Sequence, residues 1–485
     1  MTKASTKFSQ YFAAIAAAVG AMAFGTGVAW SAPTGPKLIQ GNEYGFEITD
    51  EQFSWVGSAM TLGAGCVCIL TGYLINFIGR KTTMLLLVVP FTLGWTSIIL
   101  AQNITTLIVG RALLGIASGG ICVAAPMYTG EIAEKDIRGT LCSFFQLLIT
   151  IGILFVYVVG AFVSAFCLSV ICASIPLIFG LLVLFCPESP TYLMQKHKLA
   201  NASEALIWLR GRNYDPTIEL NEMQLIMDQQ KHVSESIASA MLRRSSVKAL
   251  CISFGLFICQ QMCGINVVIF YTTDIFKSAG TNFSPDLSTA LVGIVQVIAT
   301  FSSVIIVDRL GRRLLLLTSQ SIVIICTFSL GYYFYMKDMN ANVDQLNWLP
   351  VLSLCLFIIA FSLGLGPVPW VMLGELFATD IKGLAGSISA TSNWVLAFIV
   401  TKTYNNFREA IGVGPTFWLF TVISLIGIFF IYAAVPETKG KSLNSIQEML
   451  DKREKKNIVN DLSEFTGPLM KNGNKTETTA ISNSV

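Results

Sequence analysis

Residues 130–139 read GEIAEKDIRG, and residues 374–383 read GELFATDIKG. Both stretches place Gly-Glu, then Asp-Ile, then a basic residue and a glycine at the same spacing, and they start 244 residues apart. Each stretch lies between long apolar runs in which charged residues are rare. A polar motif that recurs in this way indicates that a large unit of the chain is present twice.

The composition of the chain indicates a membrane protein. Of its 485 residues, 53% are hydrophobic and 13% are charged, whereas soluble domains carry about 25% charged residues. A helix that crosses a membrane needs about 20 apolar residues, and its backbone must be hydrogen-bonded within the segment because lipid offers no partners. Twelve runs satisfy this requirement: 11–30, 54–76, 83–101, 107–129, 140–162, 164–186, 247–272, 288–308, 313–337, 350–376, 384–404 and 414–435.

Short polar segments at matching places support the repeat. INFIGRK (75–81) follows the second run and VDRLGRR (307–313) follows the eighth, while PESP (187–190) follows the sixth and PETKGKS (436–442) follows the twelfth. The sequence therefore predicts an all-α membrane protein with twelve transmembrane helices in two pseudo-symmetric six-helix halves. The predicted divisions are an N-terminal half (1–186), a cytoplasmic linker with short helices (187–246), a C-terminal half (247–435) and a cytoplasmic tail (436–485), largely disordered after about residue 456.

The distribution of lysine and arginine predicts the orientation. With both termini in the cytosol, the inner segments hold 26 of the 32 basic residues. Arg111 lies inside the fourth run, and five basic residues lie on the outer side: Lys37, Lys277, Lys337, Lys402 and Arg408. We therefore expect a multi-pass protein of the plasma membrane with both termini cytoplasmic. Of the four Asn-x-Ser/Thr sequences, Asn282 is the one placed for glycosylation in an outer loop.

Polar side chains near the middle of the membrane are candidates for a binding site, because they are costly there. The candidates are neutral amides and tryptophans: Gln146, Gln260, Gln261, Gln296, Trp370, Asn393 and Trp394. Amides both donate and accept hydrogen bonds, as the hydroxyls of a neutral polyol do, and an aromatic face suits the C–H groups of such a ligand. The alternative is that each amide only holds two helices together.

Two interruptions in the helical pattern lie beside these side chains. Gly264 lies between Gln261 and Asn266 and offers a place for the backbone to unwind, so that both amides face one cavity. Pro367 and Pro369 remove two backbone donors, so the tenth run must bend or break there. We predict that these two breaks act as gates.

The repeated polar motif also has a mechanical interpretation. Glu131 and Glu375 lie at inner helix ends with basic residues close by, so ion pairs there can latch the inner ends together in one state and release them in another. The alternative is that these charges only set the topology and solvate loops. The predicted latch residues are Arg80, Glu131, Arg138, Glu188, Arg309, Arg312, Arg313, Glu375, Lys382 and Glu437.

The order of these motifs resembles the sugar porter family of the major facilitator superfamily over residues 11–442. The motifs are GRK, DRLGRR, RGTL (138–141), PESP, QQMCGIN (260–266), GPVPW (366–370) and PETKGKS. The chain is similar to facilitative glucose transporters, and FGTGVAWSAP (24–33) resembles the branch with insect trehalose carriers. The resemblance implies the major facilitator fold and assigns sugar contacts to Gln146, Gln260, Gln261, Asn266, Trp370, Asn393 and Trp394.

Four positions depart from the family pattern. Gln296 stands where the glucose carriers have Asn, and Ser362 stands where they commonly have Glu. Asn76 replaces the usual Asp of the first-half motif, so the N-terminal latch has one carboxylate fewer. Lys382 stands where the family usually has Arg. A lysine ammonium cannot form the two parallel hydrogen bonds that a guanidinium group makes with a carboxylate.

The acidic residues bear on how transport is driven. None of the 29 Asp and Glu lies in the middle third of a run, and Thr26 stands where coupled carriers of the family have Asp. We therefore expect facilitated diffusion of a hexose, with glucose first and trehalose as the alternative. The sequence is also compatible with a proton-coupled symporter or with a sugar sensor that does not transport. We expect no enzymatic activity, no cofactor, no metal and no nucleic-acid partner, and a monomer as the functional unit.

Overall fold

The computed structural model describes residues 6–41, 43–231, 237–280, 284–377, 381–441 and 445–450. Within them the chain forms α-helices joined by short connections. The helices are α1 (Phe8–Ala29), α2 (Ser31–Gly41), α3 (Asp50–Ile78), α4 (Arg80–Ile99), α5 (Ile104–Ile132), α6 (Arg138–Phe162), α7 (Ala165–Leu184), α8 (Pro190–Gln195), α9 (Leu199–Arg210), α10 (Thr217–Lys231), α11 (Ile237–Met241), α12 (Arg244–Met262), α13 (Ile265–Ala279), α14 (Pro285–Leu310), α15 (Arg312–Asp338), α16 (Leu349–Ala360), α17 (Pro367–Leu376), α18 (Lys382–Ile411) and α19 (Val413–Ala434).

Twelve helical segments of the described chain are long and apolar enough to cross a membrane, so the predicted number of spans is confirmed. Three of these spans consist of two helical pieces: span one (Phe8–Ile39), span seven (Arg244–Ala279) and span ten (Leu349–Leu376). In span ten the pieces are joined by a π-helical turn, Phe361–Leu365. The predicted tail after residue 456 and the glycosylation candidate Asn282 lie outside the described residues.

Glycines allow the spans of the first half to pack with their backbones in contact. A Cβ atom on Gly115 of α5 would overlap the backbone carbonyl of Met60 in α3. Likewise, a Cβ on Gly25 of α1 would overlap the carbonyl of Ile149 in α6. Small residues serve this purpose in membranes, where close van der Waals contact takes the place of a hydrophobic driving force between helices.

The linker helices pack on the first half. The guanidinium group of Arg210 in α9 binds Glu219 of α10 (2.8 Å) and the backbone carbonyl of Ile132 at the end of α5 (2.8 Å). Residues 445–450 are helical, and Gln447 donates to the carbonyl of Leu376 in the second half (2.6 Å). We call the face that carries these contacts the linker face, and the opposite one the far face.

The two halves are hydrogen-bonded to each other on the far face. The Tyr157 hydroxyl of α6 donates to the carbonyl of Ile269 in α13 (2.8 Å). The Lys402 ammonium of α18 donates to the Ser54 hydroxyl of α3 (2.9 Å). Near it, the Asn405 amide donates to the carbonyl of Asp50 (3.2 Å). The structure is therefore closed on the far face.

Candidate substrate-binding site

Span seven breaks where the sequence predicts it. Helix α12 ends at Met262, and Gly264 has φ +92°, a left-handed conformation that glycine adopts without steric cost. Helix α13 then begins at Ile265. The change of direction brings Gln261 and Asn266 together, although they would point about 140° apart on a continuous helix turning roughly 100° per residue.

The break supports a chain of three amides. The Asn266 amide donates to Oε1 of Gln261, and Nε2 of Gln261 donates to Oδ1 of Asn393 in α18 (2.5 Å). Gln261 and Asn393 are buried, whereas Asn266 is half-buried. Gln261 thus uses both ends of its side chain, and it fixes the orientation of the amides on either side.

The break in span ten explains the role of Gln260. Pro369 has no N–H group to donate to the carbonyl four residues before it, at Leu365. Nε2 of Gln260 donates to that carbonyl (2.7 Å) and to the carbonyl of Gly366 (2.8 Å). The amide nitrogen of Gln260 therefore holds spans seven and ten together, while its Oε1 is buried and accepts no hydrogen bond from the described residues.

The two candidate tryptophans lie on different helices, Trp394 on α18 and Trp370 on α17. The Trp394 ring packs edge-on against Phe24 of α1 at 5.6 Å, so it links the two halves. Its Nε1 is buried next to the Cys68 thiol, and no oxygen or nitrogen atom of the described residues accepts from it. The Trp370 ring packs edge-on against Phe257 of α12 at 5.1 Å and is 36% exposed. The Trp394 Nε1 donor and the Gln260 Oε1 acceptor are therefore each available to a hydroxyl group, which both accepts and donates.

Two predicted candidates are not joined to the amide chain. Gln146 lies on the linker-side half of α6, and its side chain is exposed. Gln296 of α14 is buried, and no hydrogen bond of its amide occurs among the described residues. Ser362, where the family commonly has Glu, is buried in the π-helical turn of span ten. The described residues contain no group of three His, Cys, Asp or Glu side chains that would hold a metal ion.

Arg111 is a buried cation whose contacts were not predicted from the sequence. Its Nε donates to the carbonyl of Val56 in α3 (3.1 Å), and Nη1 donates to the carbonyl of Gly27 in α1. The guanidinium carbon lies 5.5 Å from the centre of the Trp30 ring, and Nη2 has no hydrogen-bond partner in the part of the chain that the structure describes. Arg111 thus joins spans one, two and four through carbonyls and an aromatic ring. The sequence feature that could have indicated this role is the position of Arg111 inside an apolar run.

The predicted latch residues of the first half form one cluster at the linker face. The buried Arg80 guanidinium pairs with Glu131 (2.8 Å), and the Ser189 hydroxyl donates to the other oxygen of Glu131. The Glu188 carboxylate accepts from the backbone N–H groups of Arg80 (2.9 Å) and Lys81 (3.0 Å). The corner between α3 and α4 is thereby tied to the start of α8.

The second half repeats this cluster almost atom for atom. Arg312 pairs with Glu375 (3.0 Å), and the Thr438 hydroxyl donates to the other oxygen of Glu375 (2.5 Å). The Glu437 carboxylate accepts from the backbone N–H groups of Arg312 (3.0 Å) and Arg313 (3.1 Å). Each of these ion pairs therefore lies within one half.

The remaining latch candidates also contact their own half. Arg138 and Lys382 donate to the backbone carbonyls of Ala133 (3.2 Å) and Gly374 (2.9 Å). The Arg313 guanidinium lies over the Tyr432 ring at 5.2 Å. The side chain of Arg309 is exposed. In this conformation, closed on the far face, the repeated motif braces each six-helix half separately.

A model of the family described as "Sugar (and other) transporter" matches residues 9–450. The chain belongs to this family. The family consists of transporters, in agreement with the prediction that the chain is not an enzyme.

Curated family members with named substrates include insect proteins. The facilitated trehalose transporter Tret1 of Culex quinquefasciatus is 38% identical over 448 residues, which cover 92% of this chain and 87% of that protein. Tret1 of Anopheles gambiae is 38% identical over 91% of this chain, but the match covers 56% of its own length. The chain therefore spans little more than half the length of some of the relatives that it matches.

Solved structures with this fold include a bacterial sugar symporter. The major facilitator proton:xylose symporter XylE, bound to 6-bromo-6-deoxy-D-glucose, has a TM-score of 0.73 and 25% identity, covering 92% of this chain and all of the other. A partially occluded, inward-open form of XylE from E. coli gives a TM-score of 0.75 at 24% identity, covering 90% of this chain. The family member described here therefore has the predicted major facilitator fold.

Glu437 of this family member provides a test of the corner clusters. Burial raises the pKa of its carboxyl, but the backbone N–H groups of Lys439, Arg312 and Arg313 lower it by more, so the pKa lies below the usual 4.5. Glu437→Gln keeps one acceptor oxygen and loses the charge. We expect the variant to lose about 1 kcal/mol of stability at neutral pH, measured as a lower Tm in detergent.

The pH dependence of this loss follows from the direction of the pKa. A lowered pKa in the folded state contributes stability above the usual pKa, and the contribution disappears as the pH falls through the folded value. The difference in Tm between parent and variant should therefore shrink below about pH 4.5. Glu222→Gln is the control, because Glu222 forms an exposed pair with Lys135 at 3.6 Å and should change Tm little. Equal losses in both variants would contradict the role of Glu437.

Proposed function

We propose that this chain is a facilitative carrier that moves a neutral sugar, trehalose, across the plasma membrane by alternating access. The amide chain Asn266–Gln261–Asn393 carries the proposal, because it lies at the break of span seven. The neighbouring Gln260 Oε1 and Trp394 Nε1 have no oxygen or nitrogen partner among the described residues. Neutral groups that both donate and accept are what a polyol requires. The names of the insect relatives favour trehalose over glucose, although glucose was the first expectation from the sequence.

Alternating access requires contacts that form on one face while the other face opens. The hydrogen bonds that join the halves on the far face, at Tyr157, Lys402 and Asn405, are suited to this. The breaks at Gly264 and at Pro367 and Pro369 are the proposed gates, since irregular backbone is tolerated at membrane depth where it lines a cavity. The corner clusters are the proposed latch of the linker face, which we place in the cytosol with both termini.

The environment of Arg111 supports uniport. The hydrogen bonds described for its guanidinium go to backbone carbonyls, and the nearby Thr26 hydroxyl donates to the carbonyl of Ala23 (2.8 Å). Coupling to protons needs a group that gains and loses a proton as the carrier turns over. Proton symport remains the second candidate because XylE, which shares the fold, is named a proton:xylose symporter.

The test is uptake by the purified full-length protein in proteoliposomes. With labelled trehalose outside, we expect uptake to stop at equal concentrations inside and out, and a protonophore should leave the initial rate unchanged. Trehalose should compete with its own labelled form more strongly than glucose does.

Three outcomes would overturn parts of this proposal. Accumulation above the external concentration that the protonophore abolishes would indicate symport. Preferential competition by glucose would restore glucose as the substrate. Saturable binding of sugar without uptake would indicate a sensor.

A further inference from the structure

A groove of about 760 Å³ lies between α3 and α4 on the lipid-facing surface of the first half. It is separate from the amide site and is lined almost entirely by apolar side chains. Leu70 and Phe77 of α3 and Leu86 of α4 form its walls, and Ile116 of α5 lies between them. Leu70 and Phe77 are 66% and 76% exposed, so no part of the described chain covers them.

The groove results from the way in which α3 and α4 pack. Both helices contact α5 closely, α3 where Met60 meets Gly115 and α4 where Leu87 meets Gly120. The two helices are antiparallel and joined by a tight corner at Gly79, whose φ is +104°. The space between them opens towards lipid, and its lining residues in α4, from Leu86 to Pro90, lie in the second and third turns after the corner. The groove therefore lies in the linker-side half of the membrane.

One cation lies at the linker end of the groove. The Lys196 side chain lines the cavity, and its ammonium lies 5.9 Å from the centre of the Phe77 ring. Within the described chain Lys196 forms no ion pair, whereas Arg80 pairs with Glu131 and Lys81 donates to the carbonyl of Leu184 (3.0 Å). Lys196 is therefore able to offer its N–H donors to a ligand in the groove.

The corner between α3 and α4 differs in two residues from the equivalent corner between α14 and α15 in the second half. Where the second half has Asp308 and Arg309, the first half has Asn76 and Phe77. Asn76 lines the cavity, and its amide donates to the carbonyl of Gly72 (3.1 Å). A carboxylate at position 76 would repel an anion at the groove mouth, and an arginine at position 77 would place a charge in its apolar wall. Asn76 thus avoids repulsion of an anionic end at the groove mouth, and Phe77 extends the apolar wall for the rest of the ligand.

We propose that this groove binds an anionic phospholipid of the linker-side leaflet, with an acyl chain between α3 and α4 and the headgroup phosphate on Lys196. Long basic side chains reach to the headgroup level from the edge of the membrane in this way. The cytoplasmic leaflet is the one that carries anionic lipids, and the orientation proposed above puts the linker face there.

The experiment measures lipid binding by native mass spectrometry of the full-length protein in detergent, with phosphatidylserine or phosphatidylcholine added. Transport is not needed for the readout, so the result is independent of the proposed function. We expect phosphatidylserine to bind more tightly than phosphatidylcholine. Lys196→Gln should weaken phosphatidylserine binding about fivefold and leave phosphatidylcholine binding unchanged.

Three variants control the interpretation. Lys198→Gln removes an exposed charge two residues away that does not line the cavity, and it should have no effect. Asn76→Asp should weaken phosphatidylserine binding only, and Leu86→Trp should weaken both lipids by filling the groove. Equal binding of the two lipids by the parent chain would overturn the proposal. So would equal effects of Lys198→Gln and Lys196→Gln, or unchanged binding in Leu86→Trp.

Discussion

Replacing Gln261 by leucine is expected to raise the KM for sugar about threefold to a hundredfold while the amount of folded carrier stays the same. Leucine has a similar volume, but it removes the donor to Asn393 and the acceptor for Asn266. One net hydrogen bond contributes about 0.5–1.5 kcal/mol, and the change removes one or two such bonds in the sugar complex. Leucine is at least as comfortable as glutamine inside a membrane span. The measurement is KM and surface abundance on the same cells.

A second buried amide provides the matched control. Gln320 of α15 is fully buried, and its Nε2 donates to the carbonyl of Ser424 in α19 (3.1 Å), so it joins two spans without a contact to the amide chain. Gln320→Leu should leave KM unchanged, and its thermal stability measures the cost of removing a buried amide hydrogen bond between two spans. If Gln261→Leu behaves like Gln320→Leu, with normal KM and reduced stability, Gln261 only holds helices together and the proposed site is wrong.

Much of the fold could be predicted from the sequence because lipid restricts the choices. Apolar runs of sufficient length must be helical spans, and the recurrence of GEIAEKDIRG as GELFATDIKG indicates the repeat. The two helix breaks follow from local chemistry, since Gly264 tolerates a positive φ and Pro369 lacks an N–H group. These predictions depend on single residues and their neighbours in the chain.

The pairing of side chains between distant segments could not be predicted in the same way. The sequence places Gln260 and Gln261 next to each other, but only the structure distinguishes their roles. Gln260 satisfies the carbonyl of Leu365 that Pro369 leaves without a donor, whereas Gln261 joins the amide chain. Contacts between segments more than a hundred residues apart depend on how the spans pack, which the apolar pattern does not specify.

The partners of the predicted latch residues could not be predicted from the sequence either. The motif predicts that acidic and basic residues meet at the linker face, and it does not say whether they meet within a half or across the two halves. The structure pairs Arg80 with Glu131 and Arg312 with Glu375, each within one half. In this conformation the hydrogen bonds described between the halves are on the far face, at residues such as Tyr157 and Lys402 that no repeated motif marks.

Removing two of these far-face contacts should shift the carrier towards the state that is open on the far face. Tyr157→Phe deletes the hydrogen bond to Ile269, and Lys402→Met deletes the one to Ser54. Both bonds exist only when the halves meet on this face, so their loss affects the balance between states more than the stability of either half. We expect a combined effect of about 1.5–3 kcal/mol, equivalent to a ten- to hundredfold larger open population.

The readout is the rate at which a membrane-impermeant maleimide labels Phe53→Cys from the far side. The Phe53 ring is buried in the closed far face and packs edge-on against Tyr271 at 6.4 Å, so a cysteine there reacts only after opening. The labelling rate should rise ten- to hundredfold in the double variant, in proportion to the open population. Tyr333→Phe is the control, because its hydroxyl donates to the carbonyl of Ala279 (2.9 Å) within the second half. An unchanged rate in the double variant, or an equal rise in the control, would show that these bonds do not hold the far face closed.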